Sequence, residues 1–447
     1  MSVEQDSQLK EYVDQEENRQ RNSLTLIASE NYVFPEIYKY SGSLLTNKYS
    51  EGKVGARYYG GTKYIDAIES LCQKRALALF GLDPNEWGVC VQPYSGSVAN
   101  FSAYSALIGP GGKIMGMNLP AGGHLTHGFQ TKTRKVSGTS LYFASYPYEV
   151  DEKGVLDYSI IEKRVNEINP ELLICGYSAH SQDINYQKLR SIVGSNAFLY
   201  ADISHISALI ACDLMNSPFA HCDVVMTTTH KGLRGPRGAI IIYRKSVTIK
   251  GKEYNLEQRM HQAVFPLMQG GPHNQTIAGI AHAMHMAAQP EFKKYGEQVL
   301  ANSKVMCKFF QEKGYNIITG STVNHMIIID LGNMNVGGQE VETFCDALGI
   351  SINKNSVPRD KGSLFTPSGI RLGTYALTTR GFKEDDIVFV AGMIDSVISL
   401  LKETAEERKG YKTLEAWMQE KNILQTSSMQ RIIQQVAYFT QVFQIPE

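Results

Sequence analysis

The sequence predicts an α/β protein in two parts: a large domain on a mainly parallel sheet of the seven-stranded type, and a smaller α/β domain after it. Three observations carry this. Between residues 87 and 244, short apolar runs of strand length alternate with helical or turn-rich stretches. Such alternation calls for a largely parallel sheet with helices on both faces. Near Pro290 the pattern changes to one long amphipathic stretch and a second cluster of short strands. The composition, 43% hydrophobic and 20% charged over 447 residues, suits a sizeable core and about two or three domains.

In chain order, residues from about Gln8 to Arg21 read as a polar helix, followed by LTLIASEN and a loop. A polar helix buries little alone, so residues 1–45 are expected to form an arm lying across another surface, such as a second subunit. Tyr64 to Phe80 carries Ile65, Ile68, Leu71 and Leu79 at helical spacing and stops at Gly81. GVCVQP reads as a strand, and SGSVANFSAYSALIG as a helix opened by serines and glycine. Strands follow at IMGM (114–117), ELLICGYS (171–178), AFLYADIS (197–204), CDVVMTTT (222–229) and GAIIIYR (238–244), with helices near Tyr158 to Asn166 and Gln187 to Val193. The large domain is thus expected over 46–290. The small one, 291–447, has a helix from Glu291 to Lys313, strands in HMIIIDL and GISIN, and helices near 338–347, 383–402 and 427–443.

Lysine plus arginine number 44, as do aspartate plus glutamate. A balanced charge gives no overall pull towards nucleic acid or an acidic membrane. Seven scattered cysteines without a C-x-x-C pair read as reduced thiols, not a disulfide or zinc framework. The acidic N-terminal residues lack an apolar signal core, and no apolar run reaches about 18 residues. A cytoplasmic protein without membrane or nucleic-acid partners is expected.

The chemistry centres on VVMTTTHKGLRGPRG, residues 224–238. An apolar strand running into Thr227, Thr228 and Thr229 delivers Lys231 to the end of a buried sheet, where partial desolvation favours the neutral, nucleophilic amine. Gly232, Gly235 and Pro236 then reverse the chain. Such a lysine suits a Schiff base with an aldehyde cofactor; a plain loop lysine is the alternative. Asp202 ends the strand AFLYAD, where ligands of open α/β sheets bind. There it either keeps a pyridine nitrogen protonated or caps a turn. His205 follows it. Ser95, Gly96 and Ser97 open a helix whose N–H groups could bind an anion, though serine is also a common N-cap. His124 and His127, in GGHLTHG, suggest a metal pair or an imidazole stacked on a ring; no third ligand is apparent. His282 and His285 read as packing along one helix face. Glu51, near Tyr58 and Tyr59, suits acid–base work, and Arg371 in SGIRLGT suits a bidentate carboxylate clamp. Lys231 is neither preceded by GxxxxG nor followed by Ser or Thr, which excludes a P-loop.

In combination, LIASEN, NKYSEG, RYYGG, QPYSGS, GGHLTHG, ADISH, TTTHK, FPLMQGGPH, NHMIIIDL, NKNSVP, SGIR and TTRGF, in this order from residue 26 to 382, closely resemble serine hydroxymethyltransferases, with wording nearest eukaryotic members. The resemblance implies an aspartate-aminotransferase-like fold, an obligate dimer or tetramer, and pyridoxal 5'-phosphate. It also implies reversible conversion of serine and tetrahydrofolate to glycine and 5,10-methylenetetrahydrofolate. By the same resemblance Lys231 would carry the cofactor, Asp202 would pair with its ring nitrogen and His124 would stack on the ring. Ser95, Gly96 and Ser97 would hold the phosphate, with Tyr49 and Gly271 from a partner subunit, and Ser178, His205, Thr228 and His230 would line the cofactor. Ser29 and Arg371 would bind the serine carboxylate, with Glu51 and Tyr59 reaching in from the partner. Leu119, Gly123, Asn355, Ser363, Leu364 and Phe365 match positions near the folate; no metal is implied.

The chain departs from the pattern at Tyr375, usually proline, at Gly232, usually threonine, at His180 and Gln182, and in GKVGAR before RYYGG. None of these removes a residue assigned to chemistry. A folate-independent β-hydroxy amino acid aldolase on the same scaffold, and a non-catalytic RNA-binding or scaffold relative, are the competing functions.

Overall fold

The computed structural model describes residues 6–360, 362–363 and 365–447. The chain divides into two compact units, one of residues 33–297 and one combining residues through Tyr32 with 298–447.

The first unit is built on seven strands: β1 (Trp87–Cys90), β2 (Lys113–Met115), β3 (Ala144–Ser145), β4 (Leu172–Gly176), β5 (Phe198–Asp202), β6 (Val224–Thr228) and β7 (Ala239–Arg244). Their order is β1-β7-β6-β5-β4-β2-β3. Neighbours from β6 through β3 are parallel, and only β7 runs against both its neighbours. The reason is local. The link 229–238 is too short for the crossover of a dozen or more residues that a parallel return needs. Every residue of β4, β5 and β6 is buried, as expected of strands covered on both faces. One cover is α1 (Gly96–Leu107), whose Ala99, Ala103, Tyr104 and Leu107 join Phe143, Tyr200, Met226 and Ile241 in one core cluster. A second layer pairs the helices Lys63–Leu79 and Asn274–Ala287. On the latter, His282 packs on Tyr40 and Phe34 at 5.5 and 6.3 Å between ring centroids. His285, expected to pack beside it, is exposed: a three-residue step turns the side chain about 60° on the helix, enough to leave the buried stripe.

In the second unit an antiparallel sheet runs in the order Asn316–Ile317, Met326–Asp330, Gly369–Gly373, Asn353–Asn355. Helices Gly338–Ala347, Glu384–Glu403 and Ser427–Val442 contribute Phe344, Val390, Ile394 and Val436 to its core. Leu24 and Leu26 belong to the same core, because Leu24–Thr25 pairs in parallel with Ile350–Ser351. The residues expected to form one arm are therefore divided between the units at Tyr32. Helix Ser7–Arg21 buries none of its residues. The other division falls at Gln298, inside helix Pro290–Glu312.

Candidate active site

Side chains with chemistry gather at the carboxyl ends of β4, β5 and β6. Asp202, last in β5, is buried and receives four donors. Asn100 Nδ2 at 3.0 Å and His127 Nε2 at 3.1 Å meet Oδ2, while Ser204 N at 3.1 Å and Oγ at 2.6 Å meet Oδ1. Burial alone would raise this carboxyl. The His127 bond, the nearby His127 and His124 rings and the Ser204 hydroxyl outweigh it, and the group is held well below the usual carboxylate range. Lys231, half-buried just beyond β6, donates from Nζ to Thr228 Oγ1 at 2.8 Å. The turn behind it is pinned by Arg234 N to Lys231 O at 3.0 Å and Gly235 N to Thr229 O at 2.7 Å.

The two loop histidines lie beside this carboxylate, and among the described residues they belong to no cluster of three or more metal-ligating side chains. His127 Nδ1 accepts from the His124 N–H at 3.2 Å, so its proton is on Nε2, facing Asp202. His124 Nδ1 lies 2.7 Å from Thr126 Oγ1 and accepts from Thr126 N at 3.2 Å. Asn100 donates to the same hydroxyl at 2.8 Å, leaving the hydroxyl proton for His124 Nδ1. The free edge of His124 is thus Nε2–H, and its face is a flat, neutral surface. Burial first, then His127 and Lys231, lower its pKa to about 4. His230 is pushed down to about 3 by burial and by Lys231, and its Nδ1 is buried without a hydrogen-bond partner among the described residues. His205 is also buried. Ser178, after β4, donates its backbone N–H to Gly122 O at 2.7 Å, tying the loop of Leu119 and Gly123 to this edge.

Helix α1 starts beside the same edge. Among the described residues the Ser95 side chain does not cap it, although Ser95 and Ser97 both lie there exposed; a helix start of this kind suits an anion. A Cβ on Gly96 would stand 2.7 Å from Thr228 Cγ2, so glycine is what lets the helix start approach the lysine strand this closely.

A further group assembles around Tyr94, the residue before Ser95. Tyr94 donates to Gly271 O at 2.6 Å and stacks on His273 at 4.0 Å. A Cβ on Gly271 would lie 3.0 Å from Tyr49, and the rings of Tyr49 and Tyr59 are 5.1 Å apart. The Tyr59 phenol is raised by desolvation first and then by the charge of Glu51 beside it. Arg57 holds the backbone around Glu51: Nη1 donates to Ser50 O at 3.0 Å and Gly52 O at 2.8 Å. Its own charge is met by Asp66 at 2.8 Å and the buried Glu69 at 2.5 Å.

In the second unit Arg371 sits on the strand Gly369–Gly373, buried, with Nε donating to Asn353 Oδ1 at 3.2 Å. Burial lowers its pKa to about 10. Ser29 is close in the fold, since Gly373 N donates to Leu26 O at 2.8 Å. Asn355 ends the adjoining strand, opposite Gly369. Ser363 accepts from Phe365 N at 3.2 Å, and Phe365 is exposed; Leu364 lies outside the described residues.

Sequence reasoning missed Asn100, Ser204, Thr126, Arg57 and the tie of His127 to Asp202. A signal existed for Asn100 alone: it falls in the buried stripe of α1, four residues from Gly96, where a polar side chain must find a partner.

Lysine, ionised aspartate and open helix N-terminus at the carboxyl ends of parallel strands place the protein among the aspartate-aminotransferase-like α/β enzymes. The family model for serine hydroxymethyltransferase matches residues 2–394. Over 395 residues the chain is 56% identical to the cytosolic serine hydroxymethyltransferase of Encephalitozoon cuniculi, covering 88% of this chain and 86% of that one. It is 46% identical to the cytosolic enzyme of Oryctolagus cuniculus, covering 99% and 93%, and 48% identical to chloroplastic serine hydroxymethyltransferase 3 of Arabidopsis thaliana, covering 92% and 77%. The chain belongs to the serine hydroxymethyltransferase family.

Proposed function

We propose that this chain interconverts serine and glycine by moving the hydroxymethyl carbon to and from tetrahydrofolate, with pyridoxal 5'-phosphate as cofactor and in the cytoplasm. The observation that carries the reading is Lys231, hydrogen bonded to Thr228 at the end of β6, beside the strand that ends in the ionised Asp202.

The residues fit the cofactor. An uncapped helix start with two serines suits a phosphate, and glycine at 96 lets that helix start lie against Thr228. Pyridoxal phosphate, when bound, supplies an aldehyde that captures amines and a ring that accepts electron density. The chain's residues do the rest. Lys231 provides the tethering amine, and Thr228 accepts its proton-bearing side. Asp202, kept charged by its donors, holds a proton on the ring nitrogen. His124 offers its neutral face to the ring, and Ser178, His205 and His230 line it. Ser95, Gly96 and Ser97 bind the phosphate, with Tyr49 and Gly271 of a second copy. Arg371 and Ser29 hold the amino-acid carboxylate, which orients the bond to be cleaved. Glu51, steadied by Arg57 and next to Tyr59, carries the proton of the hydroxymethyl or folate group. Leu119, Gly123, Asn355 and residues 363–365 receive the folate.

Purified protein is expected to show a near-ultraviolet cofactor band and to form glycine from serine only when tetrahydrofolate is added. Lys231→Ala should lose that band and the turnover together. Equal glycine formation without tetrahydrofolate, or a Lys231→Ala protein with unchanged band and rate, would overturn the reading.

A further inference from the structure

The second unit holds an aromatic stack next to the segment that carries Ser29. The Tyr375 ring lies on His325 with centroids 4.0 Å apart and planes 18° apart, and both residues are buried. His325 Nε2 and Ala28 O are 3.2 Å apart; a carbonyl only accepts, so the imidazole donates and its proton is on Nε2. Ala28 is the residue before Ser29. The same segment is fastened to the end of the Arg371 strand. A Cβ on Gly373 would stand 2.4 Å from Ala28 Cα, an approach open only to glycine. Thr374, between Gly373 and Tyr375, donates from its backbone to His325 O at 2.9 Å, and its hydroxyl is within reach of His325 O and Val299 O at 3.2 and 3.1 Å. Gly373, Thr374, His325 and Tyr375 thus form one bridge from Arg371 to Ser29.

We propose that Tyr375 is a positioning residue for the amino-acid substrate. By stacking on His325 it fixes the plane of the imidazole, hence the bond to Ala28 and the spacing between Ser29 and Arg371. An unstacked imidazole can turn about its Cβ–Cγ bond, and its donor then leaves the carbonyl. A flat partner at stacking distance allows only motion within the ring plane. The proposal rests on the assignment of Ser29 and Arg371 to the substrate carboxylate. It adds a residue at which that assignment does not expect an aromatic ring.

Three variants of the cofactor-loaded enzyme separate positioning from filling: Tyr375→Leu removes the flat face, Tyr375→Phe keeps it, and Tyr375→Pro suits the first position of helix Tyr375–Thr379 should the leucine variant fail to fold. Glycine affinity is read from the change in cofactor absorbance, alongside cofactor content, thermal midpoint, and KM and kcat for serine. Leucine and proline should each raise the glycine Kd and serine KM about five-fold, the size expected for losing one aromatic stack. kcat should move less than two-fold and cofactor content should stay full, while phenylalanine remains within two-fold of the parent. Unchanged glycine affinity in both the leucine and proline variants overturns the proposal, as does a phenylalanine variant that loses as much as leucine. A parent enzyme whose cofactor band ignores glycine altogether would instead sink the serine–glycine reading.

Discussion

Asp202 shows at the scale of one residue how a buried charge is kept charged. Its four donors offset the cost of burying the charge. Asp202→Asn would turn an amide N–H₂ towards the donors that now meet the carboxylate, and would remove the charge proposed to hold the ring-nitrogen proton. A loss of about 2–4 kcal/mol in denaturant unfolding is expected, together with a fall in kcat too large for altered serine binding to explain. The histidines set a second expectation. His124 and His180 are lowered to about 4 and His230 to about 3, chiefly by burial. Below pH 6.5 the unfolded chain takes up protons that the folded chain refuses. Stability present above that pH is lost progressively as pH falls towards 4, on the order of 1–3 kcal/mol for each histidine. Asp202 acts in the same direction only below its unfolded value near 3.8. The thermal midpoint should therefore drop between pH 7.5 and pH 5; a midpoint flat across that range would contradict the neutral assignment. Lys231 and Asp202 were legible because each ends an apolar run, and strand ends are where ligands bind. The ties of Asn100 and His127 to Asp202 were not, because the fold brings these residues together from distant sequence.

At the scale of elements, the helix α1 and the strand β6 meet through one glycine. Gly96→Ala must displace Thr228 or the helix start, an overpacking expected to cost about 1–3 kcal/mol. If the displaced atoms form the proposed phosphate cradle and the lysine's acceptor, cofactor retention on dialysis should fall more than serine affinity in the reloaded enzyme. A variant that keeps its cofactor as the parent does would show that the cradle lies elsewhere. The long strands and helices of both units were legible from apolar periodicity. The hairpin Ser246–Ile249 with Lys252–Asn255 and the short helices Leu256–Gln262 and Leu414–Glu420 were not, since a hairpin strand with exposed residues and a two-turn helix carry too few apolar positions to set a period. The reversed direction of β7 follows from link length, a feature visible in the sequence once both strands are placed.

On the scale of the whole molecule, helix Ser7–Arg21 buries nothing and exposes Leu9, Tyr12 and Val13, and Tyr49, Tyr58, Tyr59 and Tyr64 are exposed as well. Apolar and aromatic side chains left open in this number suit an interface, and the assignment of Tyr49, Glu51 and Tyr59 to a second copy requires one. Sedimentation should show dimers or tetramers. Mixing inactive Lys231→Ala and Glu51→Gln enzymes after reversible dissociation should restore up to about a quarter of the parent rate, the most that random pairing into dimers with one intact site allows. No recovery in confirmed hybrids would place Glu51 in its own subunit's site. The sequence by itself determined the family, the α/β class and the strand ends that carry Lys231 and Asp202, because these rest on local periodicity and on ordered motifs. Only the tertiary structure decided that Asn100, His127 and Ser204 enclose that aspartate, that Arg57 steadies Glu51, and that Leu24 and Leu26 belong to the second core. Those contacts join residues from 2 to 326 positions apart, and a buried polar group or an apolar strand takes whichever partner the fold presents.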